Sequence, residues 1–454
     1  MTTPFPVPAA IRCTRPQDTA VLFMASALFS SDAASALVDR TVAAVHDAGL
    51  SAQMTVVPTL ARDRESCAQA LTAIDPSATS GLVIQMSTFC TAELLHDVLG
   101  WCGARRIPIA LWALEEPGEI VTNSLCGAQL WASTLGRFGR KHVLILGDPG
   151  APEVAAELAA FAAAARAEAR LRGARVALVG AHAEWFTNLA VDPWAIRKAL
   201  DVTIEQRSLP AFVAGCVATS DAESDAAARW RDAGFDAGAA DEGRATLGRT
   251  YARLAAGLDR ITADAIAIRD WPEILYAEAF RGTWAALGEL SDRAIPIAPE
   301  GDVMGALTAL AVRAFDPASL PFLTDISGID RANNRLVLWH YGVSPRLSDG
   351  PRSLDAVLKQ ETFPLRAGPM TLLRLSLRPD GSLRMFVAEG AVTEEPCGAN
   401  RAAGYFVPFG LAVEPLVRRF VDAGYEHHVT AVYGHWGRAA VHLGRLLGIE
   451  VDHG

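Results

Sequence analysis

Residues 20–48 read AVLFMASALFSSDAASALVDRTVAAVHDA. A short apolar run, Ala20–Ala25, ends at a polar link, and Asp32–Ala48 then carries apolar residues at helical spacing. Such a run reads as a strand buried on both faces, and the amphipathic stretch behind it as a covering helix. Outward from this unit the pattern repeats. Gln53–Val57, Gly81–Met86, Ile107–Ala113 and His142–Gly147 are further strand candidates, separated by helical segments near Arg62–Ala73, Thr91–Gly103 and Ser124–Arg137. Alternating strands and helices predict a mostly parallel, doubly wound α/β sheet.

A second series starts near Pro149. A helix over Pro152–Leu171 leads to Arg175–Gly180, and Ala265–Arg269 and Ile295–Ala298 follow as short apolar runs flanked by helices. Asp221–Gly243, rich in Asp, Ala and Gly, reads as a solvated connection. After about Phe315 the pattern turns to strands: Leu336–His340, Met370–Leu377 and Leu383–Ala388, with a Pro-Asp-Gly turn at Pro379–Gly381 between the last two. That is a hairpin signal. A helix over Trp436–Leu447 closes the chain. The expected organisation is α/β: two doubly wound Rossmann-like domains, 1–148 and 149–315, followed by a β-rich, barrel-like C-terminal domain, 316–454.

Composition narrows the function. The 454 residues carry a formal net charge of -10, with no basic cluster interleaved with aromatics, so nucleic acid is not an expected partner. No uninterrupted apolar stretch of about 18 residues occurs, so no membrane span is expected. The seven cysteines, Cys13, Cys67, Cys90, Cys102, Cys126, Cys216 and Cys397, form no CxxC pair, so neither a disulfide framework nor a thiolate zinc site is indicated. No cationic start with an apolar run opens the sequence, and a cytoplasmic setting is expected. After the first strand, Ala25–Ser31 reads ASALFSS rather than GxGxxG, which argues against a dinucleotide oxidoreductase.

Three segments carry chemistry. Pro299–Ala311, PEGDVMGALTALA, puts Glu300 after a short strand and before an apolar helix, at the carboxyl edge where open parallel sheets bind ligands. The plainer alternative is that Glu300 and Asp302 only serve a helix N-terminus. Pro321–Asp330, PFLTDISGID, places Asp325 at the end of an apolar run, where it could equally be a turn former before Gly328. Glu426–Gly437, EHHVTAVYGHWG, holds His427, His428 and His435. With Val429–Tyr433 as a strand, one histidine of the adjacent pair points inward and the other outward. His340, in LWHYG, is a fourth candidate at another strand end. Two carboxylates with one or two imidazoles suit Mn2+ or Mg2+ better than a closed structural zinc. Such an ion can hold vicinal sugar oxygens, and carboxylates beside it can move a proton.

These segments resemble the L-fucose isomerase and L-arabinose isomerase family, in its shorter fucose-isomerase-like form. PEGDVMGALT (Pro299–Thr308) is similar to the catalytic glutamate segment, LTDI (Leu323–Ile326) to the segment with the metal-binding aspartate, and EHHVTAVYGHWG to the one with the metal-binding histidine. LWALEEPG (Leu111–Gly118), SLCGAQ (Ser124–Gln129) and AIRDWPE (Ala267–Glu273) resemble regions upstream, in the same order. The resemblance implies an aldose–ketose isomerase of free, non-phosphorylated sugars working through a cis-enediol. It makes Glu300 and Asp325 both metal ligands and the acid–base pair, and His428 the third ligand. His427 would exchange with His428 on a slip of one residue. His340 matches a ligand position better in the arabinose-type branch. It further implies Mn2+, with Mg2+ or Co2+ as substitutes, and a homo-oligomer, a hexamer or a trimer. Two departures stand out: the chain is shorter than the larger fucose isomerases, and Pro299 stands where a cysteine is common. An epimerase or carbon–carbon lyase on the same metal centre, or a non-catalytic sugar-binding protein, are the competing readings.

Overall fold

The computed structural model describes residues 18–231, 241–293, 295–354, 359–398 and 400–453; Cys13 lies outside them. The described residues divide into two compact units, one of residues 18–170 with 438–450 and the other of residues 171–437 with 451–453.

The first unit is built on five parallel strands: β1 (Asp18–Met24), β2 (Met54–Ala61), β3 (Thr79–Met86), β4 (Ile109–Ala113) and β5 (His142–Leu146), in the order β2-β1-β3-β4-β5. The expected helices appear at Ser31–Asp47, Arg64–Thr72, Glu93–Cys102, Ser124–Arg137 and Pro152–Leu171. Apolar side chains explain the layering. Leu22, Met24, Leu82, Ile84, Ile109 and Leu111 of the sheet join Leu94, Leu95, Val98, Trp131 and Leu135 of the helices in one buried cluster. Ser30 caps the first helix and Asp63 forms a capping box on the second. The C-terminal helix Gly437–Leu447 joins this unit, where buried His442 meets Glu157 at 2.6 Å.

The second unit opens with four parallel strands, β6 (Arg175–Val179), β7 (Thr203–Arg207), β8 (Ala265–Ile268) and β9 (Ile297–Ala298), ordered β7-β6-β8-β9. The stretch expected to be a solvated connection is largely helical: Ser220–Arg231 and Asp241–Leu258 are helices, and only residues 232–240 lie outside the described set. Its Asp and Gly residues suggest a loop, yet Leu247, Leu254 and Leu258 are buried on one side of the second helix.

A β-barrel follows. Its strands are β10 (Phe322–Asp330), β11 (Arg335–His340), β12 (Ser353–Leu354), β13 (Glu361–Pro364), β14 (Gly368–Leu377), β15 (Leu383–Val392), β16 (Ala402–Pro408) and β17 (His428–Tyr433), with β18 (Glu450–His453) at the edge. Six of them, in the order β16-β11-β10-β17-β14-β15, pair antiparallel, and the β15–β16 ladder closes the ring. Closure removes the open edges that an antiparallel sheet of this length would otherwise expose. The hairpin read from Pro379–Gly381 is present, with Leu377 opposite Leu383. Leu338, Met370, Leu372, Phe386, Phe406 and Ala431 fill the core. Two Rossmann-like α/β sheets followed by a closed barrel are thus the architecture that the sequence pattern predicts.

Candidate active site

Five side chains singled out in the sequence meet at one end of the barrel. Asp325 on β10 and His428 on β17 are direct cross-strand partners. On the other side of β10, Asp325 is paired with Trp339 of β11, so His340 comes next to it. Glu300 arrives from the carboxyl end of the neighbouring four-stranded sheet, just past β9, where open parallel sheets place their ligands.

Glu300 does not sit inside the helix that follows. It occupies a short turn, Pro299–Gly301, with φ 60°, and Asp302 caps the helix Val303–Phe315. A left-handed non-glycine residue costs on the order of 1–3 kcal/mol. Two backbone bonds hold it: Glu300 N–H donates to Asp270 Oδ1 at 2.6 Å, and Glu300 O accepts from Ala183 N–H at 2.8 Å. Gly301 also has positive φ, and a Cβ there would run into the Ala181 carbonyl oxygen.

His428 Nε2 lies 3.3 Å from Glu300 Oε2, 3.9 Å from Asp325 Oδ1 and 3.2 Å from His340 Nε2. Two triads have ligand atoms close enough to share one cation: Glu300, His340 and His428, and Asp325, His427 and His428. Glu300 Oε2 and Asp325 Oδ1 are buried oxygens without hydrogen-bond partners.

The other ring nitrogens fix the tautomers. His428 Nδ1 faces Asp302 Oδ2 at 2.9 Å, and His340 Nδ1 faces the Tyr341 carbonyl at 2.6 Å. Both partners only accept, so both Nδ1 atoms carry protons. In neutral rings the two Nε2 lone pairs then point at each other across 3.2 Å. Only a proton or a cation between them relieves that repulsion. With the two orphaned carboxylate oxygens, this donor set of two neutral imidazoles and two carboxylates fits a divalent cation of the Mn2+ type. His427 differs. Its Nδ1 lies 2.9 Å from the Asn188 amide nitrogen, a donor, so the proton of the neutral ring sits on Nε2, 3.6 Å from Glu300 Oε2. His435 lies apart, near Glu389.

A layer behind these side chains was not legible as function. Asp302, weighed only as a helix cap, is a fully buried carboxylate receiving four donors: Gly305 N–H (2.8 Å), Arg374 Nη1 (2.5 Å) and Nη2 (3.1 Å), and His428 Nδ1. It orients the imidazole in the way that carboxylates behind metal-bound histidines do. The signal for it was Arg374: an arginine amid leucines on a strand, here with no exposed side-chain surface, needs a buried anion. Tyr341, next to His340, donates its hydroxyl to Glu300 Oε1 at 2.5 Å.

Charges follow from these contacts. Burial would raise the Glu300 carboxyl, but the His427 and His428 imidazoles hold it well below the usual carboxylate range. Burial would likewise raise Asp302, and Arg374 and His428 hold it far below that range. Burial disfavours the His428 imidazolium, yet Asp302 and Glu300 push it up to about 9. Burial, then the proximity of His428, pushes His340 down.

Residues 364–453 match the family model "L-fucose isomerase, C-terminal domain". The chain is similar to a sulfoquinovose isomerase of Priestia aryabhattai, 23% identical over 383 residues that cover 81% of this chain and 84% of the relative. Sulfoquinovose isomerases of Alkalicoccus urumqiensis (23% over 401 residues, 83% and 86%) and Clostridium sp. strain MSTE9 (25% over 403 residues, 82% and 85%) align over a comparable span. The family model on the barrel and these relatives along most of the length support a fucose-isomerase-like aldose–ketose isomerase.

Proposed function

We propose that this enzyme interconverts an aldose and a ketose by moving a proton between C1 and C2 through a cis-enediol, at a divalent-cation site made by Glu300, Asp325, His428 and His340. The observation that carries the proposal is the pair of Nε2 atoms facing each other across 3.2 Å beside two carboxylate oxygens without hydrogen-bond partners. When bound, a cation such as Mn2+, Mg2+ or Co2+ would polarise the oxygens on the reacting carbons.

The side chains divide the remaining work. Glu300 is held ionised and serves as the base at neutral pH. Asp325, the less buried of the two carboxylates, serves the opposite oxygen or carbon. His427 presents Nε2–H rather than a lone pair, so it is a hydrogen-bond donor to the sugar and not a fifth ligand. Phe186, edge-on to His427 with centroids 5.1 Å apart, gives the sugar an apolar flank.

The substrate is proposed to be a free hexose modified by an acidic group, with sulfoquinovose as first choice, because the relatives carry that name. The assembly is proposed to be a homo-oligomer and the setting cytoplasmic. No helix among the described residues is long and apolar enough to cross a membrane.

The test is a panel of pentoses, deoxyhexoses and sulfoquinovose offered to metal-stripped protein with and without Mn2+. A new ketose appearing only with the cation supports the proposal. Equal turnover by stripped protein, or no turnover of any member, refutes it.

A further inference from the structure

Glu300 is held at both ends by one closed circuit. Its backbone N–H donates to Asp270 Oδ1 at 2.6 Å. The other oxygen of Asp270 accepts from Trp284 Nε1–H at 2.5 Å. The Trp284 indole stacks on the Tyr341 ring, with centroids 3.3 Å apart and planes 14° from parallel. Tyr341 then returns to Glu300 by donating its hydroxyl to Oε1 at 2.5 Å. Asp270 has no exposed surface, Glu300 is 2% exposed and Trp284 7%. These residues are not in the barrel's apolar cluster; Trp284 and Tyr341 belong to the one beneath the four-stranded sheet, so the stack also packs that core.

The circuit makes the two oxygens of Glu300 unequal. Oε1 is taken by Tyr341, while Oε2 is left without a partner and faces His428 and His427. A free carboxylate turns about its terminal torsion with little resistance, so either oxygen could serve. Here the aspartate fixes the left-handed backbone from behind, the tyrosine fixes the carboxylate in front, and the stacked indole ties the two together. His340 belongs to the same device, because its Nδ1–H donates to the carbonyl of Tyr341.

We propose that Asp270, Trp284 and Tyr341 are positioning residues for the isomerisation, acting as one unit to present Oε2 of Glu300, and not Oε1, to the reacting centre. The proposal rests on the isomerase reading and adds three residues to it. Its energetic signature is coupling. Residues acting as a unit lose their effect together, whereas independent contacts lose theirs additively.

The experiment is a double-mutant cycle on the full-length protein with Tyr341→Phe and Trp284→Phe. Tyr341→Phe keeps the ring and its stacking surface and removes only the hydroxyl, and Trp284→Phe keeps an aromatic face but removes the N–H together with part of the stacked ring system. Two quantities are read in each variant: kcat and KM on the sugar, and the Mn2+ dissociation constant of metal-stripped protein by calorimetry without sugar. Tyr341→Phe should lower kcat or Mn2+ affinity by about 10- to 100-fold, the range for partners standing behind metal-site groups, with KM within about threefold. The double variant should be no worse than Tyr341→Phe alone by more than about threefold. Asp270→Asn keeps an acceptor for Glu300 N–H while setting its amide against the indole N–H, and should fall between native and Tyr341→Phe. Native-like kcat and Mn2+ affinity in Tyr341→Phe, or losses that multiply in the double variant, overturn the proposal. Failure of the isomerase reading looks different: native protein inert towards every sugar. The Mn2+ cycle then still decides whether the three residues act as a unit.

Discussion

Replacing Asp302 by asparagine tests whether the cap of one helix also decides which nitrogen His428 offers. The carboxylate receives four donors, and three of them, Gly305 N–H and the two Arg374 nitrogens, can never become acceptors. Only His428 can, by moving its proton from Nδ1 to Nε2. The new amide nitrogen is therefore driven to the Oδ2 position, where it opposes Arg374 Nη1 and forces the His428 tautomer to invert. Two charge-assisted hydrogen bonds, worth about 1.5–3 kcal/mol each, are lost or reversed. The Arg374 charge stays fully buried with Glu426 as its remaining ion-pair partner at 3.1 Å. A total of about 3–5 kcal/mol, the cost of breaking a buried ion pair, is expected. At about 2–4 °C per kcal/mol, Tm should fall by roughly 10 °C. The inverted imidazole no longer points a lone pair at Glu300, Asp325 and His340. Mn2+ affinity should fall by about 10- to 100-fold, measured by calorimetry at a temperature where circular dichroism shows the variant folded. A folded Asp302→Asn protein that binds Mn2+ within threefold of native would refute both the tautomer assignment and the place of His428 in the site.

Glu300→Gln should reduce turnover by roughly two to four orders of magnitude, the range for a lost general base, and native turnover in D2O should place deuterium at aldose C2 or ketose C1; complete absence of exchange would point to an intramolecular hydride shift and leave Glu300 only as a ligand. His428, pushed up to about 9, keeps a proton in the metal-free site over the neutral range, and a cation must expel it. Apparent Mn2+ affinity should thus rise about tenfold per pH unit from 6 towards 9 and then level off; affinity independent of pH would count against His428 as a ligand. Glu361 is buried beside Glu289, both on Arg352, and burial pushes it up to about 7 from its ordinary value of 4.5. Its folded pKa lies above its unfolded one, so the stability tied to its protonation is complete below about pH 4.5 and is lost as pH rises through about 7, on the order of 3 kcal/mol in all. Glu361→Gln should flatten the fall of Tm between pH 5 and 8, and an unchanged slope would rule this group out as its cause.

The sequence showed the scaffold because the scaffold obeys short-range rules. Apolar runs such as Ala20–Ala25 and Gly81–Met86 can only be buried strands, and the Pro379–Gly381 turn dictates its hairpin. Polar β7 was invisible, since an edge strand reading Thr-Ile-Glu-Gln-Arg has little apolar signal. The helix Asp241–Leu258 was obscured by the Asp and Gly residues around it. At the site, Glu300, Asp325, His340, His427 and His428 were all flagged by residue type and placement at element ends. What separates the two adjacent histidines was not legible, because it depends on Asp302 lying 126 positions from His428 and on Asn188 lying 239 from His427. No local pattern reports such a pairing, nor the Asp270–Trp284 bond that spans 14 positions to close on a residue of another element.

The pairing of Asp325 with His428 across β10 and β17 has a consequence for how such an enzyme can change. Their spacing is set by the ladder of a closed barrel, and a slip of one residue would send one of them to the opposite wall. No gradual distortion of the pair is available between those two states. The segment around Phe186 and Asn188, which touches His427, is built from loop and a single 3-10 turn, Thr187–Leu189, and carries no such restriction. That border can therefore be remodelled while Asp325 and His428 stay locked in register, so a change in what the site accepts is decoupled from any change in this pair.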